Sequence, residues 1–202
     1  MELANSGNSR VYQFKIVLDG IKPLIWRRIQ VPETYSFWGL HVAVQDAMGW
    51  QDYHLHRFEI PDPLTGVRTT IVSFPTEASK RNGKLLSGWK VEMGHYFTMA
   101  NNKAWYAYDY LYDNWSHRLT LEGIFTRAEG TDYPLCLDGR RACPPEDCGG
   151  VQGYYRLLGN INRQDQEHKP SLASGAFDPE ALNIDEIYFD DPERRLDLAF
   201  NR

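Results

Sequence analysis

Residues Ala104–Tyr112 (AWYAYDYLY) and Trp115–Ile124 (WSHRLTLEGI), separated only by Asp113-Asn114, decide how this chain is read. In the first run Tyr106, Tyr108 and Tyr110 share one face, and Trp105, Ala107 and Asp109 share the other. In the second, Trp115, His117, Leu119 and Leu121 fall together. A period of two is the signature of strands, because successive side chains point to opposite sides of a sheet. Two such runs joined by a short turn predict an antiparallel hairpin. Upstream, Val11–Leu18 (VYQFKIVL) and Leu24–Val31 (LIWRRIQV) flank a Gly20/Pro23 turn and read as a second antiparallel pair. Ile25, Arg27, Ile29 and Val31 lie on one face of that pair, so Arg27 needs a partner if the face is buried. Phe37, Leu40, His41, Val44, Ala47 and Met48 recur at helical spacing, and Gly49 stops the helix.

Further along, HLHRFEI (His54–Ile60) reads as a strand ended by Pro61-Asp62-Pro63, and Val67–Phe74 as another. Residues 75–88 are polar, with a basic cluster, and read as an exposed loop. Pro144-Pro145 followed by Glu146-Asp147 signals a helix start, with Tyr154, Leu157 and Leu158 as its buried side. IDEIYFD (Ile184–Asp190) suggests a last strand or extended run. The acidic tail FDDPERRLDLAF either packs on the sheet or meets a second subunit. Strands outnumber helices without regular alternation. The expected fold is therefore α+β, a largely antiparallel sheet with helices packed on one face. Residues 10–202 are read as a single domain after a disordered terminus at 1–9.

At 202 residues the chain has the length of one domain with a substantial core. Hydrophobic residues at 42% and charged residues at 24% exclude collagen-like, coiled-coil and disordered classes. The net charge is −5 and the basic pairs are scattered, which disfavours bulk nucleic-acid binding. The longest apolar run, Ala104–Tyr108, is far too short to cross a bilayer. Residues 1–9 lack a basic n-region and an apolar h-region, so the chain is expected to be cytoplasmic. In such a compartment Cys136, Cys143 and Cys148 are expected as free thiols rather than a disulfide framework.

Four blocks carry a family resemblance: KPLIWRRIQVP (Lys22–Pro32), GWQDYHLHRFEI (Gly49–Ile60), YDYLYDNWSH (Tyr108–His117) and CLDGRRACPPEDCGGVQGYYRLL (Cys136–Leu158). Together they resemble the plasmid pRiA4b ORF-3-like family, over roughly residues 11–200. The family pattern in the third block is Y-D-F-G-D-x-W-x-H. Asp113, Trp115 and His117 fit it, whereas Tyr112 stands where glycine is expected, and either Asp109 or Tyr110 answers to the first aspartate. The resemblance implies a fold family and an association with mobile or accessory genes, and it brings no biochemical activity.

The chemistry-bearing residues each admit two readings. His54 and His56 on one strand would face the same way and could grip a metal, with His117, Asp109, Asp113, Glu146 or Asp147 as a third ligand. A structural role, bonding backbone or carboxylates, is the alternative. Cys136, Cys143 and Cys148 could supply thiolates to zinc, although their spacing departs from paired knuckles, and inert buried thiols are the competing reading. Glu146 and Asp147 serve either as helix-start carboxylates or as an acid/base or metal pair. Arg27 and Arg28 point to opposite faces, so one of them is expected to clamp a carboxylate in a structural ion pair, with those acids as candidates. No nucleophile triad, P-loop or dinucleotide fingerprint is present, so no catalytic residue is named.

The expectation is thus a polar cleft gathering His54, His56, Asp109, Asp113, Trp115, His117, Glu146 and Asp147. It would belong to a non-enzymatic module that binds another protein or a small ligand. A metal-dependent hydrolase or nuclease using His54, His56 and His117 is the competing class. Mobile-element DNA handling is a third. Zinc or another divalent ion is the cofactor these residues would suit.

Overall fold

Six strands each bury one set of alternate residues, and their buried sets share one face of a single sheet. The computed structural model describes residues 10–75, 85–167 and 177–201. Strand β1 (Arg10–Leu18) buries Tyr12, Phe14, Ile16 and Leu18, and β2 (Trp26–Pro32) buries Arg27, Ile29 and Val31. Strand β3 (His56–Pro61) adds His56, Phe58 and Ile60, and β4 (Arg68–Val72) adds Thr69 and Ile71. Two short edge strands, β5 (Leu85–Ser87) and β8 (Leu135–Arg140), close the ends. In the centre, β6 (Lys103–Tyr108) buries Ala104, Tyr106 and Tyr108, while β7 (Trp115–Thr126) buries Trp115, His117, Leu119 and Leu121.

Among the described residues the eight strands order as β5-β4-β3-β6-β7-β1-β2-β8, with every neighbouring pair antiparallel except β4 and β5. The opposite face is polar, carrying Lys15, Arg28, Arg57, Glu59, Arg118 and Glu122 at least partly in solvent.

Helix α1 (Phe37–Met48) lies over the apolar face. Ser36 caps it by accepting the Gly39 N–H at 3.2 Å, and Gly49, at φ 81°, ends it with its N–H on the Gln45 and Asp46 carbonyls. Only Asp46 of its twelve residues escapes full burial, so α1 is covered on both sides. The outer cover is α3 (Pro192–Phe200), whose cap is Asp191 and whose first residue is proline. The acidic tail is therefore a helix on a helix: the Trp38 indole donates to the Pro192 carbonyl at 2.8 Å, and Arg195 meets Asp46 at 2.8 Å. Helix α2 (Gly150–Glu167) sends Tyr154 into the core.

The α+β fold and its antiparallel sheet match the sequence reading, and several local expectations need correcting. The β6–β7 connection is a six-residue loop, 109–114, rather than an Asp113-Asn114 turn, because Asp109 (φ 48°) and Asn114 (φ 52°) both take the left-handed conformation. The strand expected from His54 begins at His56, with His54 in a preceding bend. The helix expected after Pro144-Pro145 begins at Gly150: Asp147 (φ 57°) and Gly149 (φ 91°) are left-handed and cannot sit inside a right-handed helix, and Gly150 (φ 66°) is its entry residue. Ile184–Glu186 forms a short 3-10 turn, and the rest of that run is extended without a strand partner among the described residues. Leu85–Ser87 is strand rather than loop; residues 76–84 and the terminus at 1–9 lie outside the described residues.

Candidate functional site

The polar residues expected to share one cleft separate into three groups. In the first, the two ring nitrogens of His54 face two carboxylates. Its Nδ1 lies 3.6 Å from Asp109 Oδ1 and its Nε2 lies 2.9 Å from Asp147 Oδ1, an ionic approach off the hydrogen-bonding direction. Asp109 also accepts the Asp113 N–H at 2.9 Å, and Asp113 accepts the Gly149 N–H at 3.3 Å. Beside them Glu146 takes the Tyr108 hydroxyl at 2.5 Å and the Gln51 N–H at 2.8 Å. Burial and the Glu146 carboxylate both push the Tyr108 hydroxyl's pKa up. These contacts join the 144–149 loop to the β6–β7 loop and to the segment before β3. They form a latch, and within it His54, Asp109 and Asp147 place three ligand atoms within 4.8 Å of one another, so the structure does bring together part of the expected ligand set.

Two other expected members lie under the sheet instead. Trp115 is buried and stacks on Trp50 at 5.8 Å, and His117 meets the edge of the same indole at 5.3 Å. Burial drives the His117 pKa down to about 4, only partly offset by the Tyr106 and Trp115 backbone. His117 thus joins neither His54 nor His56 in a ligand set among the described residues.

The third group centres on His56, and it contains a residue the sequence reading treated as part of an apolar stripe. His41 of α1 stacks on His56 with ring centroids 3.4 Å apart and planes 16° from parallel. The His41 Nε2 lies 2.8 Å from Asp52 Oδ1, and its Nδ1 lies 2.8 Å from the Tyr106 hydroxyl, whose oxygen accepts from Gln45 Nε2. His56 Nδ1 meets Ser73 Oγ at 3.0 Å, while its Nε2 is buried with no partner. Burial, and secondarily His41, hold His56 well below the usual imidazole pKa, so it is neutral at pH 7. Asp52 reaches His41 because Gly49 turns the chain back at the end of α1 and Asp52 itself adopts φ 58°. That return is invisible to helical periodicity, although the W-Q-D run after Gly49 offered the carboxylate.

A cavity of about 310 Å³ opens beside this group. Its walls include Trp38, Asp52, Tyr53, His54, His56 and Ser73, with Phe74 just beyond β4, Asp190 just before α3, and Arg195, Leu198 and Ala199 from α3. Phe200 meets Phe74 and Trp89 edge-on at 5.3 and 5.2 Å, which fastens α3 over the opening. Burial works against the Arg195 charge, but Asp46 and Asp190 more than offset it and its pKa is raised. Its Nη1 is nevertheless buried without a partner.

The cysteines and arginines stand apart from the cavity. Cys143 is buried beside Met48 Sδ at 3.1 Å and Arg27 Nη2 at 3.4 Å, whereas Cys136 and Cys148 approach backbone carbonyls of Asp138 and Gly150. Burial raises all three thiol pKa values, those of Cys143 and Cys148 to about 11. None belongs to a convergent ligand group among the described residues. Arg27 and Arg28 do face opposite ways, but neither meets Glu146 or Asp147. The buried Arg27 donates to the Ala47, Trp26 and Arg140 carbonyls, because the interior at β2 offers backbone acceptors rather than a carboxylate. Arg28, on the open face, makes the bidentate clamp, on Glu122 at 2.6 and 3.1 Å.

Comparison with known proteins assigns the architecture. A family model described as plasmid pRiA4b ORF-3-like protein matches residues 10–186. The chain belongs to this family. Within the pRiA4b ORF-3-like family it is similar to the uncharacterized protein y4hQ of Sinorhizobium fredii (strain NBRC 101917 / NGR234). The two are 28% identical over 194 residues, which cover 88% of each chain. It is also similar to the crystal structure of a protein of unknown function, MM3350, from Methanosarcina mazei Go1. That match has 42% sequence identity and a TM-score of 0.78, over 90% of this chain and 98% of that one. No helix among the described residues is long and apolar enough to span a membrane.

Proposed function

We propose that this protein is a binding module for a small organic anion, seated in the cavity between α1, the β3 and β4 ends, and α3. One observation carries the reading. Three residues lining the cavity, His54, His56 and Arg195, each bury a nitrogen without a hydrogen-bond partner; His54 Nε2 has the Asp147 carboxylate at 2.9 Å, which leaves His56 Nε2 and Arg195 Nη1 unmet. A buried unmet donor or acceptor costs about 1–3 kcal/mol, and a ligand that satisfies both removes that cost. Arg195 supplies a charged donor suited to carboxylate or phosphate. Trp38, Tyr53 and Phe74 supply aromatic walls for the apolar part, the usual composition of a small-molecule site. The cavity is also of a size that fits a small metabolite rather than a polymer.

The test is a screen of small carboxylates and phosphate esters by thermal shift, run in EDTA. Binders are expected to raise the melting temperature and to shift the Trp38 indole signal in NMR spectra. An Ala199→Trp variant, which fills the cavity without touching its charges, should remove both effects. Binders that act equally on that variant would place the site elsewhere and defeat the reading. A metal-dependent hydrolase is the second reading, and one observation favours it: His41, Asp52 and His56 converge beside the cavity, as do His54, Asp109 and Asp147 in the latch.

A further inference from the structure

We propose that His41, Asp52 and His56 together bind one divalent transition-metal ion at the floor of the cavity. The ligand atoms of the three residues already lie within 4.8 Å of one another. Each imidazole is arranged as metal-bound histidines are, with one nitrogen held by an outer partner and the other turned toward the site. The Tyr106 hydroxyl holds His41 Nδ1 at 2.8 Å, and the Ser73 hydroxyl holds His56 Nδ1 at 3.0 Å. Each hydroxyl can accept from Nδ1–H, which leaves Nε2 the lone pair; for His41, whose Nε2 now bonds Asp52, that tautomer forms only when the ion displaces the bond.

The independent observation is His56 Nε2 itself. The residue is 2% exposed and that atom has no partner, so the fold keeps an unspent ligand atom on a residue that converges with His41 and Asp52. Burial also keeps His56 neutral at pH 7, the form that ligates. Two imidazoles and one carboxylate suit zinc or another intermediate divalent ion. Three protein ligands leave further coordination positions, as in metal sites that accept an exogenous group. Asp52 and His56 line the cavity, so those positions face it.

One adjustment is required. The stacked rings lie 16° from parallel, and one ion cannot sit in both planes. Of the two rings only His56 borders the cavity, so it is the one that must turn toward Asp52 on binding, while His41 is enclosed by Tyr106 and Trp38. The ion also takes the Asp52 carboxylate off its direct bond to His41 Nε2 and is shared by both. This proposal shares the cavity with the anion-binding reading, and its ligands do not depend on that reading.

The experiment uses the full chain stripped with EDTA, with Zn²⁺ alone in calorimetry and Co²⁺ alone in visible absorption. One equivalent of Zn²⁺ and ligand-field bands from Co²⁺ are expected. Asp52→Asn and His56→Gln should each weaken Zn²⁺ binding more than about tenfold, and Ser73→Ala by about tenfold through loss of the outer partner. His54→Ala and Asp147→Asn, which sit in the latch, should leave binding unchanged. Circular dichroism confirms that each variant compared is folded. No binding by folded wild-type protein overturns the proposal, as does equal binding by Asp52→Asn or a loss caused by His54→Ala. Fragment binding in EDTA tests the anion site separately, so either can fail while the other stands.

Discussion

His54 and His56 are two residues apart and meet opposite fates. His54 is partly exposed in a bend, with Asp109 and Asp147 against its two ring nitrogens. His56, one step into β3, is enclosed by Trp38, His41 and Tyr106 and spends only one nitrogen, on Ser73. Both line the cavity, but the first histidine faces carboxylates that close a loop, and the second keeps a nitrogen with neither an ion-pair nor a hydrogen-bond partner. A histidine near carboxylates is therefore weak evidence of function. The better indicator is a buried polar atom that the fold supports from behind and leaves unmatched in front.

The largest effect that sharpens this contrast is acid sensitivity of the buried imidazoles. His117, with its pKa lowered to about 4, refuses a proton that the unfolded chain accepts below pH 6.5. Its contribution is complete above pH 6.5, falls as pH drops through that window, and levels off below about pH 4. At 1.36 kcal/mol per unit, the loss is about 3 kcal/mol across the window. His56 acts in the same direction. Urea denaturation at pH 7, 5.5 and 4.5 should show this slope, and His117→Phe should reduce it. An unchanged slope in that variant would place the acid sensitivity elsewhere.

Next in size is a pair of truncations. His56→Ala opens a void against Trp38 and His41 and is expected to cost about 2–3 kcal/mol. His54→Ala removes a part-exposed ionic contact and should cost under about 1 kcal/mol. Denaturant midpoints at pH 7 check both; equal losses would remove the distinction between latch and cavity.

The smallest effect tests the latch's own logic. Asp109→Asn keeps a residue that tolerates φ 48° and an acceptor for the Asp113 N–H, so about 0.5 kcal/mol is expected. Asp109→Ala loses both and should cost about 2 kcal/mol. Thermal melts of the two variants decide the order, and a costlier asparagine would contradict it.

How much of this was legible depended on which interaction fixed each residue. The alternation in β1, β6 and β7 and the α1 stripe up to Gly49 were readable because burial on one face repeats at a fixed period. The membership of His117 and Trp115 in the buried face was readable for the same reason, and that membership takes both out of the polar cleft. The start of α2 was obscured because left-handed Asp147, Gly149 and Gly150 override the Pro-Pro signal. Helix α3 carried a legible cap in Asp191-Pro192-Glu193, which the acidic composition of the tail masked. His41 was hidden by its own position: at helical spacing a histidine in an apolar stripe reads as core, and only the return of the chain to Asp52 gives it a second meaning.

The most direct measurement is long-range proton–nitrogen NMR of the histidine side chains during titration with Zn²⁺. The Nε2 resonances of His41 and His56 should move together and saturate at one equivalent, with His54 and His117 unaffected. Movement of His54 alone, or of none of the four, would contradict the assignment of the open valence to His56.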